Sequence, residues 1–176
     1  LRLKADKICL LEMWPGSGSI AIELKKQLPQ YYVTLLDKSD HVVPVAEKNA
    51  ATHHALIVFF QIDFLIEREW DKLPKFDVIV SNPPYIKKSE AAGMPSNVSK
   101  HEPELALFVP DEDALIFYNA IASFAQNHLA ADGKIYVEIN EVLGQNVMDL
   151  FGSQGFLQVE MRKDLQGKDR MVRAAR

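Results

Sequence analysis

The sequence predicts an α/β domain built on a mostly parallel sheet, and three observations carry that prediction. Short apolar runs alternate with segments of helical apolar spacing along most of the 176 residues. A glycine-bearing turn, Pro15-Gly16-Ser17-Gly18-Ser19, separates the first strand-like run from the first helix-like segment. Three later strand-like runs finish on or beside a polar side chain, namely Asp37, Asp63 and Asn82. In open sheets of this kind, ligands sit beyond the carboxyl ends of the strands near the topological switch point.

The elements follow in order. Ile8 to Met13 is an apolar run broken by the glycine turn. Ile20, Ala21, Ile22, Leu24 and Leu28 then lie at helical spacing before Pro29 stops the helix. Tyr32 to Leu36 reads as the second strand, closing on Asp37. Ser39 or Asp40 caps a helix running to Ala51, with Pro44 tolerated in its first turn. Ala55 to Ile62 is the third strand, ending on Asp63, and Phe76 to Ser81 the fourth.

Residues 86–110 form a long stretch with little apolar periodicity, which reads as a binding loop or a disordered one. Asp111 to Ala130 carries a helical stripe of Leu115, Ile116, Tyr118, Ile121, Phe124 and Leu129. Asp132-Gly133 then turns into a strand, Lys134 to Ile139. A helix from Val142 to Phe151 and a strand from Phe156 to Met161 follow. Gln166-Gly167-Lys168-Asp169 is the turn of a closing hairpin into Met171 to Ala174, which makes one strand antiparallel.

Composition narrows the class of protein. A hydrophobic content of 48% suits one folded domain of ordinary size. The net charge of −4 offers no general footprint for nucleic acid. The single cysteine, Cys9, sits in an apolar run, so no disulfide framework exists and a reduced, cytoplasmic setting is expected. The charged start lacks the features of a signal peptide, and no apolar segment approaches the roughly 20 residues of a membrane span. The abrupt start at Leu1, without an initiator Met, reads as an excised domain with something missing upstream. His41, His53, His54, His101 and His128 show no paired metal-ligand spacing, so no metal site is expected.

Ser81-Asn82-Pro83-Pro84-Tyr85 is the stretch with the most chemistry in it. Two consecutive prolines after a buried strand forbid ladder donation and helix continuation, so the chain stops and turns there. Asn82 then offers a carbonyl oxygen, the main chain adds further acceptors, and Tyr85 supplies an aromatic face. Those parts suit a planar group bearing an NH2. Asp37 lies about 20 residues past the glycine turn, the offset at which a carboxylate meets ribose hydroxyls. The ligand therefore contains adenosine, as either a dinucleotide or S-adenosylmethionine; Ala21 stands where a third dinucleotide glycine would be.

These residues resemble a known family. Glu12-Met13-Trp14-Pro15-Gly16-Ser17-Gly18, Asp37, Asp63 and Ser81-Asn82-Pro83-Pro84-Tyr85-Ile86 are similar to the motifs of the seven-stranded, Rossmann-like S-adenosylmethionine-dependent methyltransferases. Glu102-Pro103-Glu104-Leu105-Ala106-Leu107 resembles an element of the PrmC/HemK glutamine methyltransferases. So does the stretch from Lys163-Asp164-Leu165 through Gly167-Lys168-Asp169-Arg170. The likeness covers nearly the whole chain, and residues 1–176 correspond to the catalytic domain of that family, whose helical substrate-docking domain would lie upstream. Trp14 and Pro15 depart from it, standing where the family has Gly and Thr, and predict an obstructed or rerouted loop.

The resemblance implies S-adenosylmethionine as cofactor, held by Glu12, Gly16, Gly18, Asp37, Asp63, Phe64 and Asn82. It implies catalysis by Asn82, Pro83 and Tyr85, and substrate contacts from Asn82, Pro83, Pro84, Tyr85 and Glu102. The implied substrate is the glutamine of a Gly-Gly-Gln loop in a peptide chain release factor, with no role for a membrane or for nucleic acid as direct substrate. Asn-Pro-Pro-Tyr is shared with enzymes that methylate adenine or guanine amino groups, which is the alternative reading. A degenerate, non-catalytic protein-binding domain is the second.

Overall fold

The computed structural model describes residues 7–87 and 108–176. Nine strands, four α-helices and short 3-10 turns occupy them in the order the apolar patterning sets. β1 (Cys9–Met13), β2 (Tyr32–Asp37), β3 (Ile57–Gln61) and β4 (Phe76–Ser81) alternate with α1 (Ser19–Gln27) and α2 (Val42–Thr52). A 3-10 segment, Glu67–Lys72, makes the crossing from β3 to β4. β5 (Ile86–Lys87) and β6 (Phe108–Val109) precede α3 (Ile116–His128), β7 (Leu129–Glu138), α4 (Gly144–Ser153), β8 (Gln158–Lys163) and β9 (Asp169–Ala175).

Seven strands form one sheet in the order β3-β2-β1-β4-β7-β9-β8. All neighbours run parallel from β3 to β7, and β9 pairs antiparallel with both β7 and β8. The Rossmann-like expectation therefore holds, including the antiparallel hairpin. Strand alternation divides the core between two faces. Leu10, Val33 and Leu35 pack with Ala21 and Ala46 of the first two helices. Leu11, Met13, Leu36, Ile79, Ile135 and Val172 pack with Tyr118, Ile121 and Phe124 of α3 and Val147 and Phe151 of α4.

Three expectations need correction. The helix expected from Asp111 begins only at Ile116, because the preceding residues form tight turns in which Asp113 N–H donates to the Pro110 carbonyl (3.2 Å) and Ile116 N–H to that of Asp113 (3.4 Å). Asp132-Gly133 does not start a new strand. Leu129 pairs with Phe76 and Lys134 with Val78, so these residues sit in a bulge inside β7. A Cβ at position 133 would lie 2.6 Å from Leu129 Cγ, so the bulge needs glycine. Finally, the stretch 86–110 is not wholly irregular, since its two ends meet as the parallel pair β5–β6. Among the described residues, no helix is long and apolar enough to cross a membrane.

Candidate active site

The strand order reverses between β1 and β4, which is the switch point. Register brings the critical strand ends to one edge there. Met13 lies opposite both Leu36 and Ser81, Asp37 opposite Gln61, and Ser81 opposite Val137. With strands spaced about 4.8 Å apart, the ends of β2 and β4 are roughly 10 Å from each other across β1. The buried Ser81 hydroxyl donates to the Met13 carbonyl (3.4 Å), tying the end of β4 to the start of the glycine loop.

That loop keeps a glycine-type path despite its sequence. Trp14 (φ 55°), Gly16 (φ 54°) and Gly18 (φ 78°) all adopt left-handed backbone, which is rare for a tryptophan. The indole offsets that strain by packing edge-on against Phe64 (5.5 Å) and Phe117 (4.8 Å), away from the glycine turn. A Cβ at Gly16 would meet nothing within 4 Å, so open space lies over the loop. Gly18 N–H donates to the Pro15 carbonyl (2.9 Å), so Pro15 forms part of the turn.

Glu12 lies beneath this loop, 2% exposed, and its carboxylate accepts the Ala21 N–H of the first turn of α1 (2.8 Å). Burial raises its pKa from 4.5 to about 7, and the Ala21 hydrogen bond only partly opposes the rise. An acid raised on folding binds its proton more tightly in the folded state, so its contribution is present below pH 4.5 and is lost as pH climbs through about 7. Glu12→Gln, which keeps an acceptor for Ala21, is expected to remove this slope and to be more stable than wild type at pH 8. The gain is at most about 3 kcal/mol at 1.36 kcal/mol per pH unit. Urea unfolding of both proteins at pH 5 and pH 8 checks it; equal slopes would refute it.

Asp37 closes β2 with a buried carboxylate whose Oδ1 accepts the Ser39 N–H (2.8 Å). Burial raises its pKa, against the opposing pull of the Ser39 and Lys38 N–H groups and the Lys38 charge. Ser39 Oγ in turn accepts the N–H groups of His41 and Val42 (both 3.2 Å), starting α2 as expected of Ser39. Asp63 accepts Leu65 N–H (3.1 Å) and pairs with Lys38 Nζ (3.4 Å), which bridges the ends of β2 and β3. The Phe64 ring is 1% exposed and enclosed by Trp14, Trp70 and Phe124. The Phe64 carbonyl accepts the Trp70 indole N–H (2.8 Å).

At the end of β4, Asn82 is exposed while Pro83 and Pro84 are buried and Tyr85 is half-buried. The prolines thus act as a fixed base that leaves the Asn82 amide facing outward. Tyr85 donates its hydroxyl to Glu138 Oε1 (3.0 Å) at the end of β7. Sequence reading missed Glu138, although it is an acid at a strand's carboxyl end, the signal that singled out Asp37. Glu102 and its neighbours lie outside the described residues. Gly16, Gly18, Asp37, Asp63 and Asn82 therefore share one edge, with Glu12 beneath it.

This edge offers a carboxylate for a vicinal diol, a loop open to close backbone approach and an outward amide beside a tyrosine. The residues fit an adenosine-bearing cofactor. The family described as methyltransferase small domain matches residues 3–98. The chain is 39% identical over 164 residues to the release factor glutamine methyltransferase of Flavobacterium psychrophilum, covering 93% of this chain and 57% of that protein. It is 41% identical over 167 residues to the protein of that name from Bacteroides thetaiotaomicron, covering 95% and 60%. The chain thus spans under two thirds of these relatives' length. Its fold is similar to that of a ribosomal protein L11 methylase from Lactobacillus delbrueckii subsp. bulgaricus, with a TM-score of 0.67, 21% identity, and coverage of 99% of this chain and 73% of that one.

Proposed function

Since the chain belongs to the methyltransferase small domain family, we propose that it transfers a methyl group from S-adenosylmethionine to the side-chain amide nitrogen of a glutamine in a peptide chain release factor. One observation carries the chemistry: an outward Asn82, on a buried di-proline, stands at the switch point beside the glycine loop and one strand removed from Asp37. The names of the relatives from Flavobacterium and Bacteroides favour the substrate.

When bound, the cofactor supplies a methyl group activated by a positively charged sulfur. Asp37 would accept the ribose hydroxyls, Gly16 and Gly18 would let the backbone approach the methionine part, and Asp63 with the Phe64 main chain would border the adenine. Glu12 would hold the loop from beneath. An amide nitrogen is a weak nucleophile because its lone pair is delocalised into the carbonyl. Asn82 Oδ1 and the Pro83 carbonyl would each accept one amide hydrogen, turning the nitrogen lone pair towards the methyl group, while Tyr85 packs on the amide plane. Positioning and electrostatics then carry the rate without a strong base. The excess proton leaves the nitrogen after transfer.

The test supplies labelled methyl donor to the full-length protein with purified release factor, with the same factor bearing Gln→Ala in its Gly-Gly-Gln loop, and with DNA and RNA. Label is expected only in the unmodified factor. Label in nucleic acid alone would favour an adenine or guanine amino-methyltransferase. No calorimetric binding of S-adenosylmethionine would favour a protein-binding domain.

A further inference from the structure

The groups behind Tyr85 form a chain that the substrate contacts do not account for. Tyr85 hydroxyl donates to Glu138 Oε1 (3.0 Å), and the Tyr118 hydroxyl of α3 donates to the Glu138 main-chain carbonyl (3.0 Å). Both ends of this residue are therefore gripped. Across the sheet, Glu138 stands opposite Met171 of β9, and Ile139 N–H donates to the Arg170 carbonyl (2.9 Å). Arg170 Nε pairs with Asp164 Oδ2 (3.4 Å). Asp164 is itself fixed by accepting Gln166 N–H (2.8 Å) and Lys168 N–H (3.0 Å) through Oδ1, and these bonds close the β8–β9 hairpin turn.

Electrostatics agree with the geometry. Burial pushes the Tyr85 phenol up to about 12, helped by the charge and hydrogen bond of Glu138 and opposed by Arg170, so the phenol stays a donor at any physiological pH. Desolvation pulls Arg170 down, but the Asp164 hydrogen bond and the charges of Tyr85, Asp164 and Glu138 outweigh it and hold it above its ordinary value. The groups facing Glu138 are thus Tyr85 from the turn after β4, Tyr118 from α3 and Arg170 from β9. A carboxylate with a cation nearby is a firm acceptor, and a firm acceptor fixes a phenol oxygen in space.

We propose that Glu138 and Arg170 are positioning residues of the reaction: Glu138 anchors the Tyr85 hydroxyl, Arg170, fixed at the hairpin base by Asp164, ties down the end of β7 through its carbonyl and sets its charge near both groups, and together they set the ring that walls the amide pocket. This rests on the function proposed above, and it gives Asp164, Gly167 and Arg170 a physical task. Those residues close a turn whose far end fixes that wall. A misplacement of about 1 Å in such a wall costs on the order of 100-fold in rate.

The experiment uses the full-length protein with Glu138→Gln, Glu138→Ala, Tyr85→Phe and the double variant Tyr85→Phe/Glu138→Ala. Glu138→Ala is expected to lower kcat about 10- to 100-fold with S-adenosylmethionine affinity within about twofold of wild type. Glu138→Gln, which keeps an acceptor, is expected to recover most of the loss. The double variant is expected to fall no more than about twofold below the worse single variant, because both changes cut the same link. Multiplying losses, or a Glu138→Ala kcat within twofold of wild type, would overturn the proposal. The 13Cζ resonance of labelled Tyr85 reports on the phenol's acceptor without any methyl acceptor present, and is expected to move in Glu138→Ala and, by a smaller amount, in Arg170→Ala. If release factor proves not to be a substrate, a moved resonance keeps the network and an unmoved one removes it.

Discussion

Asn82→Ala is expected to abolish measurable turnover, a loss of at least about 100- to 1,000-fold, while cofactor affinity stays within about 1 kcal/mol. The split follows from position. Asn82 is exposed at the tip of β4, on two buried prolines that do not depend on its side chain for their placement. Truncation therefore leaves β4 undisturbed, its residues 78–81 paired in register with Leu10, Leu11, Glu12 and Met13 of β1. What goes is one of two acceptors that orient the amide nitrogen, and only the reacting arrangement needs both. Single-turnover kinetics on release factor, with calorimetry for S-adenosylmethionine, read the two quantities separately. Equal losses in both would show that Asn82 serves chiefly the cofactor.

Asp37→Ala is expected to weaken S-adenosylmethionine binding by about 2 to 4 kcal/mol, the cost of two charge-assisted hydrogen bonds to ribose. The Asp37 carboxylate also accepts the Ser39 N–H, and Ser39 starts α2, so the alanine variant loses local structure as well. Asp37→Asn separates the two effects. It keeps the acceptor for Ser39 and puts an NH2 donor in place of the other carboxylate oxygen, so α2 keeps its start while the acceptor for the diol is lost, and its deficit reads the ribose contact alone. Because burial holds the Asp37 pKa above its ordinary value, acidification should weaken binding in the wild type through protonation of this group, and the Asn variant should lack that dependence. Unaltered affinity in Asp37→Ala would refute the placement of the ribose.

Much of the candidate site could be read without coordinates, for a reason visible in the residues themselves. Tyr32 to Asp37 and Phe76 to Ser81 were bounded as they occur, since apolar runs flanked by Pro, Gly and charged residues are local signals. Once the strands are ordered in parallel, their carboxyl ends must share an edge, and Asp37, Asp63 and Asn82 follow. The start of α3 was misplaced by five residues because the acids 111–113, expected within its first turn, instead lie in tight turns before it. The β5–β6 pair was missed because two-residue strands carry no periodicity.

The sequence by itself determined the order of strands and helices, the glycine turn, and the row of acids and Asn82 at the strand ends, because each depends on contacts within a few residues. Tertiary structure alone decided where the large side chains go. It turned the Trp14 indole onto Phe64 and Phe117, enclosed the Phe64 ring, and set Glu138 against the Tyr85 hydroxyl across 53 residues of chain. Packing at such separation reflects how whole elements stack in three dimensions, and a chain read in one dimension holds no distance between β4 and β7 until the sheet is closed.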